Sequence, residues 1–417
     1  MLKNKGLIIC AIWFCLGAVC IAQSNTKSPY SRYGYGKLAD NSIGMSRAMG
    51  GIGYGLRNSQ QINTMNPASY AAMDSLTFLF DIGANIQNSK FTEGLKKGSN
   101  FNGGLDYIAM QFPVSKWMAV SAGLIPFTFV GYDYGQNVND TILYHSGEGG
   151  LSEAYIGVGA NVYKGLSVGL NFNYLFGNIT YADEVYMPNN DYAQDSRFDQ
   201  KVHVSDFRLL LGAQYTYRLN KKESLTLGVT FSPKKTLLGH ITNKKAVYTS
   251  GSTSNAVIDT ISRISLKNAY ELPTSLGVGV SYTRDRQLTV GLDVTYQNWS
   301  DAKFDNRTDS LSNRLKIAVG GEFIPNVFSR SYFNKIHYRA GAFYNRSYEK
   351  VQNSKLNEYG VSCGLGFPLR NDKSMVNLAL EYVHQEPTVK HLLKENYFRI
   401  SFSLSFNEMW FFKSKLQ

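Results

Sequence analysis

Charged residues make up only 18% of this 417-residue chain, and cysteine occurs four times. After residue 22 no uninterrupted apolar run reaches the roughly 20 residues that a membrane-spanning helix needs. These shortages exclude a bundle of spanning helices and a disulfide-rich scaffold. The formal net charge of +12 does not indicate nucleic-acid binding, because the basic residues are scattered rather than gathered in a patch or stripe. The abundant residues are tyrosine (28), phenylalanine (24) and glycine (38), a composition that suits strands and tight turns better than helices.

Residues 1–22 read as an export signal. Lys3 and Lys5 form a basic head, Leu7 to Val19 form the apolar stretch, and Ala22 provides a cleavage point before Gln23, with Cys20 at the third position upstream. A lipoprotein signal cut before Cys20 is the competing reading, and Val19 stands against it where a small residue is expected. A signal anchor fits less well, because the apolar stretch is short for a span. Cleavage removes Cys10, Cys15 and Cys20 and lowers the formal charge from +12 to +10. Cys363 is then left alone and can form no internal disulfide in an oxidising compartment.

From Ser75 onward the organising signal has a period of two. Phe398, Ile400, Phe402, Leu404 and Phe406 interleave with Arg399, Ser401, Ser403 and Ser405. Leu288, Val290, Leu292, Val294 and Tyr296 alternate with Thr289, Gly291, Asp293 and Thr295, and Tyr359 to Phe367 behave alike. Residues two apart share one face of a strand, so each segment has one apolar and one wet surface. A soluble β-sandwich alternates in the same way, and three features favour a membrane barrel over it. The segments commonly run to ten residues or more, against about 5–6 for soluble strands and roughly 9–11 for a tilted membrane crossing. Aromatic residues recur at the stripe ends, as at Trp117, Tyr174, Tyr296, Trp299 and Trp410, where interfacial girdles would lie.

The connections also alternate in length. Short ones lie near Ser115, Lys164, Lys221, Asp285 and Asp372, and long ones cover 134–149, 184–199, 243–269 and 301–310. Such a chain keeps short turns on one side of a membrane and long loops on the other. The expected fold is therefore all-β: a transmembrane antiparallel barrel of about 14 strands over residues 75–410, one of them spanning 222–242. Residues 411–417 would form a periplasmic tail, with Phe406 and Trp410 both candidates for the last membrane residue.

Residues 23–74 do not alternate and have too little apolar periodicity for a separate domain. They are either a flexible periplasmic tail or a plug within the barrel. The stretch from Ser42 to Gly55, followed by Asn66-Pro67-Ala68, favours the plug. Pro67 fixes the chain direction, and the glycines permit close backbone packing against a wall.

In these features the sequence resembles the FadL-type outer-membrane transporters of long-chain fatty acids and other hydrophobic compounds. The resemblance rests on the Gly-rich opening at Gly50 to Gly55, the Asn66-Pro67-Ala68 triplet, Gly123-Leu-Ile-Pro126-Phe127, Leu272-Pro273 to Gly279, and Tyr338-Arg339-Ala340-Gly341. It covers almost the whole mature chain through the order and spacing of these stretches. It implies fourteen strands around an N-terminal hatch, with hydrophobic substrates leaving through the barrel wall. In that family a kink in the third strand makes the lateral opening, and Gly123 and Pro126 match its position. Pro126 also speaks for itself, since it cannot donate a ladder hydrogen bond. Either it opens the wall locally, or it lies at the rim where pairing has ended.

Taking the apolar faces as outward places Asp206, Arg208, Asp293, Lys316, Glu322, His337, Arg339, Glu381 and Arg399 in the lumen. Charges there need partners. Arg32, Lys37, Arg47 and Arg57 of the N-terminal segment offer them to acids such as Asp293 and Glu381; a generic hydrated lumen is the alternative. The 184–199 loop, with Glu184, Asn189, Asn190, Asp191 and Asp195, is polar for a fatty acid capture groove.

Nothing points to catalysis. His145, His240, His391, His203, His384 and His337 are dispersed, with no nucleophile and base at a working spacing. No cluster suggests a metal, no cofactor is implied, and Gly51, Gly53 and Gly55 lack the strand–turn–helix context of a phosphate loop. Cys363 is expected to face lipid. Two functions follow: a hatch-gated passive channel for small hydrophobic compounds in a bacterial outer membrane, or a non-transporting barrel that docks a partner in protein export or surface assembly. Implied partners are outer-membrane lipid and lipopolysaccharide, the barrel assembly machinery and a hydrophobic small molecule, with no nucleic acid.

Overall fold

The computed structural model describes residues 26–409 except 139–140, 188–193, 250–256, 268, 308–310, 352–353, 370–372 and 390–391. The export signal, Asn189 to Asp191, His391, Trp410 and the 411–417 tail fall outside the described residues. Fourteen antiparallel strands form a closed barrel. They are β1 (Thr77–Glu93), β2 (Lys96–Ser115), β3 (Met118–Val138), β4 (Thr141–Tyr163), β5 (Leu166–Tyr186), β6 (Gln194–Arg218), β7 (Glu223–Ser232), β8 (Ser275–Arg284), β9 (Leu288–Gln297), β10 (Arg314–Phe323), β11 (His337–Val351), β12 (Ser354–Pro368), β13 (Met375–Pro387) and β14 (Lys394–Met409). Each pairs with the next, and β14 returns to β1 in a register running from Lys394–Thr92 to Met409–Thr77. Closure matters because hydrocarbon offers backbone amides no partner, so a spanning sheet can leave no edge.

Which face points out is settled by accessibility along β9. Val290, Leu292 and Val294 are 42%, 45% and 36% exposed, whereas Asp293 and Thr295 between them are 4% and 8%. The apolar faces therefore do not meet in a dry sandwich core. They form a continuous outer belt, with the polar faces turned inward, as a lipid-embedded barrel requires. Cys363 lies on this outer face and is exposed. Trp117 and Tyr296 are exposed as well. Trp299 is not part of a girdle: a short 3-10 turn, Trp299–Asp301, directs its ring inward, where it is 1% exposed.

The connections at the end opposite the short turns, called the outer end below, are shorter than the alternation suggests, because the strands run on as paired ribbons. β3 and β4 pair as far as Val138–Thr141, β5 and β6 as far as Val185–Ser196, and β1 and β2 as far as Glu93–Lys96. Beyond the hydrocarbon neither face must be apolar, so the period of two fades while the hydrogen-bonded ladder continues.

The strand expected over 222–242 is split. β7 ends at Ser232, before Pro233, and Gly239–Thr249 then pairs with Val257–Ser265 as an outer hairpin. β6 is long enough to serve both: Leu211 to Arg218 pair with β7, and Gln194 to Val204 pair with the hairpin.

Among its described residues, the segment ahead of β1 contains short 3-10 turns at Pro29–Arg32, Gly44–Met49 and Pro67–Ala72 and a two-residue strand at Lys37–Leu38. Asn66 starts the last of these, its side-chain oxygen accepting from the Ala68 N–H at 3.1 Å, with Pro67 at the first position where no donor is needed. Most of the segment is buried, including Tyr35, Met49, Ile52, Leu56 and Tyr70.

Candidate functional site

The buried N-terminal segment is bonded to inward-facing groups on nearly every side of the barrel. Asp293 of β9 accepts from the N–H groups of Gly53 (2.6 Å) and Tyr54 (2.8 Å). Ser362 of β12 accepts from Gly50 N at 2.8 Å, and Ser281 of β8 donates to Gly55 O at 2.6 Å. Lys316 of β10 meets Asp40 at 2.5 Å, and Arg47 meets Asp106 of β2 at 2.6 Å. Arg57 donates to Ser167 of β5 and Asn161 of β4 at 2.6 and 2.7 Å. Asn66 reaches Ala213 O of β6 at 3.2 Å. Glycines in the wall admit this backbone. A Cβ on Gly341 would lie 2.2 Å from Gly50 N and from Met49 C, closer than real Cβ atoms come.

The other lumen charges pair within the wall or with the hairpin base. Arg339 donates to Glu322 at 2.6 Å, and His337 faces the same carboxylate at 3.0 Å. Arg208 pairs with Glu153 at 2.9 Å and Asp206 with Lys235 at 3.2 Å. Asp293 therefore anchors the segment, but Glu381 does not: it pairs with Arg399 at 3.5 Å, which also donates to Gln87 at 2.8 Å. Arg32 bonds Asp183 at 3.3 Å and Tyr134 at 2.9 Å. Glu184 pairs with Arg197 at 2.7 Å, so part of the polar outer loop is internally neutralised.

The alternation does not reveal Asp40, Asp106, Glu153 and Glu358 as partners, because each meets a residue far away in sequence. Lys37 is an example, pairing with Glu358 at 3.2 Å. Burial lowers its pKa, but Tyr397, Glu358 and Glu395 more than offset this and hold it above the ordinary lysine value. Two small polar cavities of about 60 and 70 Å³, both lined by Asp40 and Lys316, lie here, each far below the roughly 300–1,000 Å³ of a ligand pocket.

The outer half of the lumen is closed by apolar packing. Tyr35 stands at its centre, with ring centroids 5.0 Å from Phe304, 5.9 Å from Trp299 and 6.2 Å from Tyr270. Tyr348 accepts from Tyr35 N at 3.0 Å and donates to Gly36 O at 2.5 Å. The cluster continues from Leu237, Ile241 and Leu266 at the outer hairpin to Phe127 and Val130 of β3.

The third strand carries the main irregularity of the wall. The β2–β3 ladder runs from Ser115–Met118 to Ile108–Leu124 and goes no further. On its other side β3 stays paired with β4 as far as Val138, with a register shift between Pro126 and Thr128. Pro126 is thus past the end of pairing with β2 but within the pairing with β4. Gly123 forms one of the last β2–β3 rungs, where a Cβ would lie 2.4 Å from Ile108 O. Beyond this rung the β3 edge is occupied by the N-terminal segment. Lys37 and Leu38 pair antiparallel with Phe129 and Thr128, Ala39 N donates to Phe127 O at 2.9 Å, and Ser28 N donates to Gly131 O at 2.7 Å. We call this junction the seam.

A family model named BamG matches residues 1–417. The chain belongs to the BamG family. Among solved structures, this BamG-family chain is similar to the Pseudomonas putida toluene transporter TodX, with a TM-score of 0.61, 15% identity, and 90% of this chain and 100% of that one covered. It is also similar to the Ralstonia pickettii toluene transporter TbuX, with a TM-score of 0.59, 16% identity, and coverage of 89% and 99%. A Pseudomonas aeruginosa FadL homologue matches with a TM-score of 0.59, 13% identity, and coverage of 90% and 99%. At these identities the likeness shows a shared FadL-like barrel fold. No curated protein matches the chain in sequence.

Proposed function

We propose that this BamG-family barrel is a bacterial outer-membrane channel for small hydrophobic compounds, closed at rest by residues 26–73 and opening laterally at the seam. In this reading the signal over residues 1–22 directs export and is cleaved, and the short turns face the periplasm. The observation that carries the proposal is the end of the β2–β3 ladder at Ile108–Leu124, with the freed β3 edge held by a displaceable two-residue strand, Lys37–Leu38. The apolar cluster from the outer hairpin through Tyr35 to Phe127 and Val130 supplies a greasy route to that edge once Tyr35 moves. The names of TodX and TbuX as toluene transporters agree with a small apolar cargo. Reconstitution in liposomes tests the reading. Deleting residues 26–65 is expected to raise uptake of an aromatic hydrocarbon severalfold, and unchanged uptake of every lipophile offered would overturn it.

A second reading has its own support. Ion pairs fill the inner half of the lumen (Lys316–Asp40 at 2.5 Å, Arg47–Asp106 at 2.6 Å), and the family name BamG hints at barrel assembly. A barrel that docks a component of the assembly machinery needs a rigid, closed interior rather than a path. Stoichiometric copurification of such a component in mild detergent, together with no lipophile uptake, would decide for this reading.

A further inference from the structure

We infer that the outward face of β5, β6 and the outer hairpin binds the phosphorylated headgroup of an outer-leaflet glycolipid, the lipid A part of lipopolysaccharide. Four strands, β5, β6 and the two of the outer hairpin, present two adjacent rungs there. Asn178, His203 and His240 lie side by side on the first, and Thr180, Lys201, Thr242 and Arg263 on the second. Ile179, Val202, Val204 and Ile241 alternate with these residues and are buried in the apolar cluster, so the rung residues face outward. Lys244 follows Thr242 on the same face of the hairpin strand.

The position of the rungs relative to lipid follows from the strands themselves. The outward column of β6 descends from His203 through Ser205 to Phe207, Leu209 and Leu211, which are 48%, 40% and 45% exposed, and in the hairpin Leu238 lies two residues below His240. At about 3.4 Å per residue, the first rung sits roughly 7 Å above the nearest apolar level. That is the level of headgroup phosphates, with acyl chains lying against the aromatic residues below.

Among the described residues no ion pair involves Lys201, Lys244 or Arg263. Asp199 lies opposite Lys244 and lines the same groove, but its carboxylate accepts from Arg197 Nε at 2.7 Å, which offsets its charge. The His203 and His240 rings lie 4.9 Å apart, and Arg263 Nη2 approaches His240 Nε2 at 3.3 Å. Slight burial, and then Arg263, His203 and Lys201, lower the His240 pKa, as expected where cations are crowded. A groove of about 390 Å³ runs across the rungs from Asn178 to Lys244. Phosphate oxygens placed there would meet several charged donors at once, and continuity with the apolar belt selects a membrane-embedded phosphate.

The inference rests on the outer-leaflet placement of this end and not on transport. The test uses the full chain in detergent, with bisphosphorylated lipid A and its dephosphorylated form as probes, read by native mass spectrometry. The wild type is expected to prefer the phosphorylated lipid by roughly tenfold or more. K201A/K244A/R263A is expected to abolish that preference while keeping the heat-modifiable mobility of a folded barrel and unchanged lipophile uptake, and the Lys201→Arg/Lys244→Arg variant is expected to keep it. Equal binding of the two lipids by the wild type, full preference in the triple variant, or inorganic phosphate binding as tightly as lipid A would each overturn the assignment.

Discussion

Lys316 of β10 reaches from the barrel wall to Asp40 of the N-terminal segment, with Nζ 2.5 Å from Oδ2. Burial raises the Asp40 pKa, but the charge and hydrogen bond of Lys316, with Arg314 and Arg47 behind it, prevail and hold it at about 2 against an ordinary 3.8. A carboxylate whose folded pKa is depressed stabilises the fold above its unfolded pKa and loses that contribution as pH falls through the folded value. Closure of the lumen is therefore expected to be constant from neutral pH down to about 4 and to weaken only as pH approaches 2. Planar-bilayer current against pH checks this. Asp40→Asn should raise the basal current across the neutral range, because Lys316 is left without its carboxylate.

Tyr35→Ala should unlock the outer half of the lumen. Removing a fully buried aromatic ring costs about 3–5 kcal/mol, and here the loss falls on contacts with Tyr270, Trp299 and Phe304. The segment rather than the barrel should loosen. The expected result is faster uptake of a lipophile, with the barrel still heat-modifiable on a gel.

Gly341→Val should expel the segment from its seat. The added Cβ would overlap Met49 and Gly50 backbone atoms, which cannot rotate away as a flexible side chain can. Proteolysis after Arg47 or Arg57 in the folded protein measures the release, and cleavage should rise at least severalfold over wild type. An Ala at the exposed, lipid-facing Cys363 should leave cleavage unchanged.

The ring of strands and its outward face were legible in the sequence because hydrocarbon enforces an unbroken apolar stripe, as in Val290, Leu292 and Val294. The alternation likewise put Glu322 and Arg339 on the inner face, and their register makes them neighbours. The outer ribbons and hairpin were not legible, since backbone pairing beyond the membrane needs no stripe. Trp299 looked like a girdle residue at a strand end, and only the following 3-10 turn carries it inward. The partners of the segment were hidden for a topological reason. Lys37 and Glu358 meet only because the segment lies against strands that are late in the chain, and nothing local marks either residue. Glu381 illustrates the converse: it shared the inward face with Asp293, but Arg399 on the adjacent strand takes it before the segment can.

The seam offers the most direct test of the account. Leu38 and Thr128 are opposed in the short ladder that covers the β3 edge, so Leu38→Cys with Thr128→Cys, in a Cys363→Ala background, can lock the segment to the strand. The expected result is that oxidation abolishes uptake of an aromatic hydrocarbon and reductant restores it. Complete disulfide formation with uptake unchanged would contradict a seam that opens by releasing this segment.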